Sequence, residues 1–278
     1  MHKKNYYING KYVINNDAKI AFSDSAFLYG DGLFETIRFQ NRKLFSIEKH
    51  LKRLKSGLEV LALKYNKTDQ EIIHMMESVI KKNSFDNGLL RLMITRGNID
   101  EGHIWEYSGS PNTYISINEL IKEPSDPVKI VYFNEKKYPI IRFNPAIKST
   151  NYIGNMKAKK DANTLGAFEP VFYNQDNIIT ECAIRNIFFI KSNILYTPSL
   201  DLGVLPGVMR ENIIEIAQNK KIEVCESHIN INTINDFDEA FITSSGIGVL
   251  ECYWDGWTSK YTIAKKIKKT LVETLANW

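Results

Sequence analysis

The stretch LFETIRFQNRKLFSIEKHLKRLKSGLEVL, Leu33 to Leu61, decides the fold class of this chain. Its first part, LFETIRF and KLFSI on either side of an Asn-Arg turn, has a pattern typical of β-strands. Its second part repeats apolar residues at steps of four and three from Ile47, which predicts an amphipathic helix with Ser46 as its N-cap. A strand pair followed at once by a helix indicates an α+β layer, in which helices pack on a sheet.

The flanking sequence extends this alternation over the whole chain. Further strands are predicted at NYYING, KYVI, LLRLMIT, NTYISI, VKIVYF, FEPVFYN, DNIITE, IRNIFFI, ILYTP, KIEVCE and EAFITSS. Further helices are predicted at 69–82, 154–165, 208–218 and 261–275. Periodicity fails in PIIRFNPAIKS, where a proline interrupts the chain. We therefore predict two α+β domains, residues 1–127 and 147–278, joined by a linker at 128–146.

Composition narrows the class of protein. The 44% hydrophobic and 24% charged residues of this 278-residue chain are ordinary for a folded globular protein. The basic runs are interrupted by apolar residues at helical spacing, so they predict solvated helix faces and argue against nucleic-acid binding. The three separated cysteines and five scattered histidines show neither a disulfide framework nor a metal-ligand pair. With no signal-peptide core and no apolar run of membrane length, we expect a cytoplasmic protein that has no membrane partner.

Lys148 is the first candidate for chemistry. It stands apart from the lysines clustered at 157–160, between Ile147 and the polar run Ser-Thr-Asn-Tyr. A lysine acts as a nucleophile only when desolvation or a neighbouring cation leaves its amine partly unprotonated. The neighbours of Lys148 are compatible with a strand end that enters a buried pocket, although the local sequence by itself favours an exposed lysine.

Four more stretches carry groups suited to a phosphorylated, cationic-ring aldehyde. Glu181 ends a strand in TECAIRNIFF, where a carboxylate can face a protonated ring nitrogen. The loop LGVLPG opens a helix whose amides at Gly207, Val208 and Met209 form an anion site, and FITSSG offers three hydroxyls. Arg53 lies beside the leucine stripe of HLKRL, where its guanidinium can bind an anion bidentately. Taken singly, these stretches also fit, in the same order, a solvated strand end, a plain helix start, a turn and a surface charge. Only their order along the chain favours a common binding site.

As an ordered set these stretches resemble the class IV aminotransferases, the fold-type IV pyridoxal-phosphate enzymes. That family includes branched-chain amino acid aminotransferases, D-amino acid aminotransferases and 4-amino-4-deoxychorismate lyases. The matching stretches run from about Phe27 to Ser245 and are FLYGDGLFETIR, HLKRL, RLMITRG, IKSTNY, TECAIRNIFF, LYTP, LGVLPGVMR and FITSS. The resemblance implies a two-domain α+β fold, with a small N-terminal α/β sandwich and a larger C-terminal domain built on a β-barrel-like sheet with helices. It also implies a homodimer.

The resemblance assigns roles position by position, with pyridoxal 5'-phosphate as the cofactor. It implies that Lys148 is the Schiff-base lysine and proton carrier, and that Glu181 pairs with the pyridine nitrogen and keeps the ring an electron sink. The other implied cofactor contacts are Arg53, the Val208 and Met209 amides and Ser245 for the phosphate, and Tyr152 for the ring oxygen. The implied substrate-pocket residues are Tyr29, Phe34, Thr36, Arg38 and Arg91. Retention of this set together argues against a non-catalytic scaffold.

The markers of the subfamily point in two directions. Arg91 stands where branched-chain aminotransferases recognise the substrate α-carboxylate, whereas Thr36 replaces their usual glycine and resembles the lyases, in which a threonine assists proton transfer. Glu101 replaces the arginine that the lyases place beyond TRG, and the loop of the D-amino acid enzymes is matched only at His103. We therefore expect branched-chain-type transamination between an L-amino acid and a 2-oxo acid. The lyase is the alternative, and a D-amino acid aminotransferase is less favoured than either.

Overall fold

The computed structural model describes residues 3–99, 110–120, 122 and 124–278. The chain forms two compact units. The first unit contains residues 1–120, 147–151 and 278, and the second contains 121–146 and 152–277. Both mix helices with sheet, and the predicted α+β class is confirmed.

The first unit is built on a six-stranded antiparallel sheet of order β2-β1-β6-β5-β3-β4. Its strands are β1 (Asn5–Ile8), β2 (Lys11–Ile14), β3 (Gly32–Gln40), β4 (Lys43–Leu44), β5 (Gly88–Thr95) and β6 (Asn112–Glu119). Its helices are α1 (Ser25–Tyr29), α2 (Ile47–Val60) and α3 (Asp69–Lys81). The alternation of LFETIRF buries Leu33, Ile37 and Phe39 in a core shared with the leucines of α2 and the apolar stripe of α3.

The second unit is built on an eight-stranded mixed sheet of order β12-β11-β10-β13-β14-β7-β8-β9. Its strands are β7 (Val128–Asn134), β8 (Glu169–Tyr173), β9 (Ile179–Cys182), β10 (Asn186–Lys191), β11 (Ile194–Pro198), β12 (Val224–Ser227), β13 (Glu239–Ser244) and β14 (Gly248–Tyr253). Its helices are α4 (Ile153–Thr164), α5 (Val208–Asn219) and α6 (Thr262–Ala276).

This second sheet curls into a half-barrel. Ile179 N donates to Ile229 O at 2.8 Å, so the start of edge strand β9 is bonded to the segment that follows β12 at the opposite edge. Alternate side chains from neighbouring strands fill the concave side, among them Phe189, Ile242 and Leu250, which are all buried. The inward alternation explains why these strands appear in sequence as short, strongly apolar runs.

The packing units differ from the predicted domain boundaries in two places. Residues 128–134, placed in the predicted linker, form β7, which pairs in parallel with both β14 and β8. Residues 147–151 pack with the first unit, since Phe34 N donates to Lys148 O and Thr150 N donates to Gly32 O, each at 2.9 Å. As boundaries of folding domains, the predicted numbers stay a prediction.

Two local expectations need correction, and two elements were missed. The predicted strand KLFSI is only two residues long, because Ser46 adopts a left-handed φ of 51° that turns the chain into α2. For the same reason Ser46 occupies the N-cap position without a capping hydrogen bond from its side chain. The short helix α1 and the strand β14 were not predicted. The strand β14 was missed because Glu251 is a charged residue inside an otherwise mostly apolar run.

No helix in the described ranges is both long and apolar enough to cross a bilayer. The cytoplasmic location stays a prediction.

Candidate active site

Lys148 lies on a short extended segment beside β3 in the first unit. Its carbonyl accepts from Phe34 N, and the next residue, Ser149, forms an antiparallel bridge with Leu33. The lysine is half-buried, and its Nζ lies 4.5 Å from the centroid of the Phe34 ring. Lys148 is therefore held by a sheet edge at its backbone and by an aromatic face at its amine.

The polar run after Lys148 fixes this segment to the end of α1. Thr150 Oγ1 and Asn151 Nδ2 both donate to Gly30 O, at 2.6 and 2.9 Å. Gly30 has a φ of 69°, and a Cβ there would lie 2.2 Å from Asn151 Oδ1, so only glycine fits. The Ser-Thr-Asn sequence is thus an anchor that fixes where Lys148 begins its side chain.

One face of β3 carries predicted substrate residues. Phe34, Thr36 and Arg38 alternate with core residues along the strand, so they share the face opposite the helices. Arg91 on β5 is directly opposite Thr36 in the register, and its Cζ lies 4.0 Å from the Phe34 ring centroid. The structure therefore brings Arg91 and Lys148 to the same aromatic ring. Tyr29, the last residue of α1, is exposed.

Arg53 belongs to α2, which packs on the other face of β3. Its Nε and Nη2 donate to Glu35 Oε1 and Oε2 at 2.8 and 2.6 Å, and His50 Nδ1 contacts Oε2 at 2.7 Å. The guanidinium makes the bidentate contact that its position predicted, but with a carboxylate of the chain itself. The sequence interpretation missed Glu35; the available signal was a carboxylate on the apolar face of LFETIRF.

The pKa values of this buried triad follow from its geometry. Burial alone would raise the pKa of Glu35, but the charge and hydrogen bonds of Arg53, with those of His50, lower it to about 2. Burial lowers the pKa of His50, against the opposing effect of Glu35, and the charges of Arg53 and Lys148 lower it further. At neutral pH the triad therefore holds an ionised Glu35, a neutral His50 and a charged Arg53.

Glu181 lies at the end of β9 in the second unit, half-buried beside Arg142. Arg142 Nη1 pairs with Glu181 Oε1, and Arg142 Nη2 pairs with Glu135 Oε1. Burial lowers the pKa of Arg142, but the charges and hydrogen bonds of Glu181 and Glu135 raise it overall. Arg142 and Glu135 were missed from sequence, because the segment around Arg142 was interpreted as a linker.

The amino end of α5 offers backbone donors in the second unit. The amides of Val208 and Met209 precede the first intrahelical bond, which Glu211 N donates to Gly207 O at 3.0 Å. Gly207 is the N-cap and has no capping side chain, and a Cβ there would lie 2.1 Å from Asn186 Oδ1. This bare helix start fits a phosphate group, because amide N–H groups and the helix dipole both favour an anion.

Asn186 links that helix start to the end of β13. Its Nδ2 donates to Thr243 O at 3.0 Å, while its amide group packs against Gly207. The half-buried Ser245 follows β13 directly. Asn186 was another residue that sequence interpretation missed, although it stands within the quoted stretch TECAIRN.

The structure also gives the positions of two other predicted site residues. Tyr152 is half-buried at the N-cap of α4, and Arg38 is half-buried on β3. Glu101 and His103 lie outside the described residues. Within the described ranges, no group of His, Cys, Asp and Glu side chains could hold a metal ion.

Comparisons with known proteins agree with this geometry. The family model described as amino-transferase class IV matches residues 32–252. A putative branched-chain-amino-acid aminotransferase of Methanocaldococcus jannaschii is 30% identical over 98% of this chain and 96% of its own length. The aminodeoxychorismate lyase of Bacillus subtilis is 33% identical over 88% of this chain and 84% of its own.

Among solved structures, the branched-chain amino acid aminotransferase of Escherichia coli superposes with a TM-score of 0.90 at 22% identity. The match covers 99% of this chain and 96% of that one. At this identity the likeness establishes the fold alone, which is the fold-type IV arrangement that the sequence predicted.

Proposed function

The chain belongs to the class IV aminotransferases, an enzyme family that depends on pyridoxal phosphate, and on that premise we propose that it is a branched-chain-type transaminase. It moves the amino group of an L-amino acid to a 2-oxo acid, with pyridoxal 5'-phosphate as its cofactor. One observation carries the choice of reaction: Arg91 and Lys148 contact the same Phe34 ring.

That contact gives a reacting amine and a carboxylate receptor at the spacing of a small substrate. The Arg91 Cζ and Lys148 Nζ atoms are separated by no more than the sum of their distances to the ring centroid, 4.0 and 4.5 Å. A guanidinium binds a carboxylate bidentately, which fixes its direction as well as its place. Arg91 then orients the α-carbon of an amino acid toward Lys148. The Methanocaldococcus jannaschii relative, aligned over nearly its whole length, also favours this reaction.

The donor set of the chain fits the cofactor. The Val208 and Met209 amides, the Ser245 hydroxyl and Arg53 would hold its phosphate, and Glu35 would orient the guanidinium of Arg53 through Nε and Nη2. Glu181 would hold the proton of the pyridine nitrogen, and Tyr152 would donate to the ring oxygen. A hydrogen bond to a charged group contributes about 1.5–3 kcal/mol, so several such contacts anchor the cofactor through each cycle.

The bound cofactor supplies an electron sink that acidifies the α-proton of the amino acid. Lys148 removes that proton from the α-carbon and carries it to the cofactor side. The backbone hydrogen bond from Phe34 N to Lys148 O fixes where the side chain of Lys148 starts, and its amine lies 4.5 Å from the centroid of the Phe34 ring. Thr36 and Arg38 line the same strand face and would contact the substrate side chain.

Amino-group transfer tests the proposal directly. The purified protein is incubated with pyridoxal 5'-phosphate, 2-oxoglutarate and either L-leucine or D-alanine, and glutamate formation is followed. We expect glutamate with L-leucine and little with D-alanine. Glutamate formed only from D-alanine would assign the D-amino acid reaction instead, and none from either donor would overturn the transaminase proposal.

A lyase is the second candidate, because Thr36 lies directly opposite Arg91 in the β3–β5 register. There its hydroxyl can assist proton transfer to a substrate that Arg91 holds. The 33% identity to the Bacillus subtilis aminodeoxychorismate lyase supports the same possibility. A lyase releases pyruvate and 4-aminobenzoate from aminodeoxychorismate without any 2-oxo acid acceptor. Release of 4-aminobenzoate that is lost in Thr36→Gly would favour the lyase; its absence would favour the transaminase.

We also propose that the chain forms a homodimer. Phe22, Phe27 and Tyr29 are 80%, 58% and 52% exposed, and the two phenylalanine rings lie 5.8 Å apart. A cluster of exposed aromatic side chains is typical of a surface that a partner covers. Light scattering should give twice the 32.0 kDa of one chain, and Phe22→Ser should shift the mass toward the monomer. A monomeric parent protein would contradict this.

A further inference from the structure

Arg142 lies between two carboxylates in the second unit. Its Nη1 pairs with Glu181 and its Nη2 pairs with Glu135, while Thr180 Oγ1 lies 3.1 Å from Nη2 and donates to Glu135 at 2.5 Å. The three charged side chains are only 17–21% exposed. They form a partly buried network with two negative charges and one positive charge.

The second oxygen of Glu181 has a weaker contact. Its Oε2 accepts from Leu205 N at 3.4 Å, a long hydrogen bond, while Oε1 faces Arg142. Arg142 Nη1 also approaches Gly203 O at 3.4 Å. Thus the direction of the Glu181 carboxylate is set mainly by Arg142, and the direction of Arg142 is set by Glu135 from the other side.

The net charge near Glu181 depends on all three side chains of this network. An isolated pair of Arg142 and Glu181 would be neutral, and it would stabilise a proton on an adjacent ring nitrogen less than an uncompensated carboxylate does. Glu135 compensates Arg142, so the network as a whole keeps one negative charge. The neighbouring Cys182 thiol adds no charge, since burial raises its pKa well above the ordinary value. Arg185 pairs instead with the buried Glu169.

We propose that Glu135 and Arg142 are positioning residues that set the charge which Glu181 presents to the pyridine nitrogen of the cofactor. The inference rests on the proposed function, in which Glu181 holds that nitrogen's proton. Arg142 orients Glu181, and Glu135 restores the negative charge that Arg142 would otherwise cancel. Removing Glu135 makes the ring nitrogen less basic, and removing the charge of Arg142 makes it more basic.

Nuclear magnetic resonance tests this on the holoenzyme. Pyridoxal 5'-phosphate labelled with ¹⁵N in the ring is bound to the parent protein, to Glu135→Gln, to Arg142→Met and to the double variant. The ¹⁵N shift, followed as a function of pH, gives the pKa of the ring nitrogen in each protein. We expect Glu135→Gln to move the signal toward the unprotonated limit, with the nitrogen's pKa lower by about 1–2 units. Arg142→Met should raise the pKa of the nitrogen instead, and the double variant should titrate close to the parent protein.

Opposite shifts separate a charge effect from a packing effect, because a merely structural role would displace Glu181 and move both signals the same way. Glu273→Gln, the same change on an exposed residue of α6, is the matched control and should leave the signal unchanged. Shifts in the same direction, or no shift in either variant, would overturn the inference while the proposed function stands. A parent protein that binds no cofactor would overturn both.

Should Glu135→Gln fail to fold, the pair Arg142→Lys and Arg142→Met decides the question. Lysine keeps the positive charge and should retain the parent signal, whereas methionine should not. Equal signals from these two variants would again overturn the inference.

Discussion

Replacing Glu35 with glutamine should destabilise the folded chain by about 3–5 kcal/mol, the usual cost of breaking a buried ion pair. Glu35 is 1% exposed, and the Arg53 side chain is 9% exposed. Without the carboxylate, the guanidinium stays buried with no counter-charge at its Nε and Nη2 atoms. The pKa of Glu35 gives a second route to the magnitude: lowering it from 4.5 to about 2 corresponds to about 3 kcal/mol.

Urea unfolding at pH 7.5, followed by circular dichroism, measures this loss. Glu59→Gln is the matched control, since Glu59 is an exposed residue of α2, the helix that carries Arg53. Its replacement should change stability by less than about 0.5 kcal/mol. The Glu35→Gln variant should also bind pyridoxal 5'-phosphate more weakly, because Arg53 loses the carboxylate that orients it. A Glu35→Gln protein within about 1 kcal/mol of the parent would refute the account of the triad.

Two further predictions concern acid stability and the helix start of α5. Burial lowers the pKa of His50, so below about pH 6.5 the unfolded chain binds a proton that the folded chain does not bind. The free energy of unfolding should therefore fall as the pH falls from there, by up to about 1.4 kcal/mol per pH unit. Glu35 adds a second loss of stability between pH 4.5, its pKa in the unfolded chain, and about pH 2. His50→Gln should make the urea midpoint independent of pH only in the higher of these two pH ranges, and a pH dependence unchanged from that of the parent would contradict this. Gly207→Ala should cost about 1–3 kcal/mol in thermal unfolding and weaken cofactor binding in a fluorescence titration, since its Cβ would lie 2.1 Å from Asn186 Oδ1; unaltered binding would sink the role given to this helix start.

The sequence predicted those elements whose pattern is local. The stripe of α2, the alternation of β3 and the apolar strands of the half-barrel each show their period within a few residues, and the structure has them close to their predicted bounds. Lys148 and Glu181 were predicted as site residues from the order of short motifs rather than from any one of them.

Interactions between distant residues were not predictable in this way. Glu35 meets partners 15 and 18 positions later, and Arg142 meets Glu181 across 39 positions, so no local period marks either network. The strand β14 was missed for a related reason. Its buried Glu251 breaks the apolar pattern, and the compensating charge comes from Lys268 of α6, at 2.8 Å. In each case a charge that looks solvated in sequence is at least partly buried, because its partner lies at a distant position in the sequence.

The assignment of Lys148 is tested most directly by borohydride reduction of the protein with bound pyridoxal 5'-phosphate, followed by tryptic mass mapping. Reduction makes the bond between the cofactor and its lysine permanent and blocks cleavage there. The label should therefore appear on a single peptide, residues 143–157, uncut at Lys148. A label on any other lysine, or no label at all, would contradict the account.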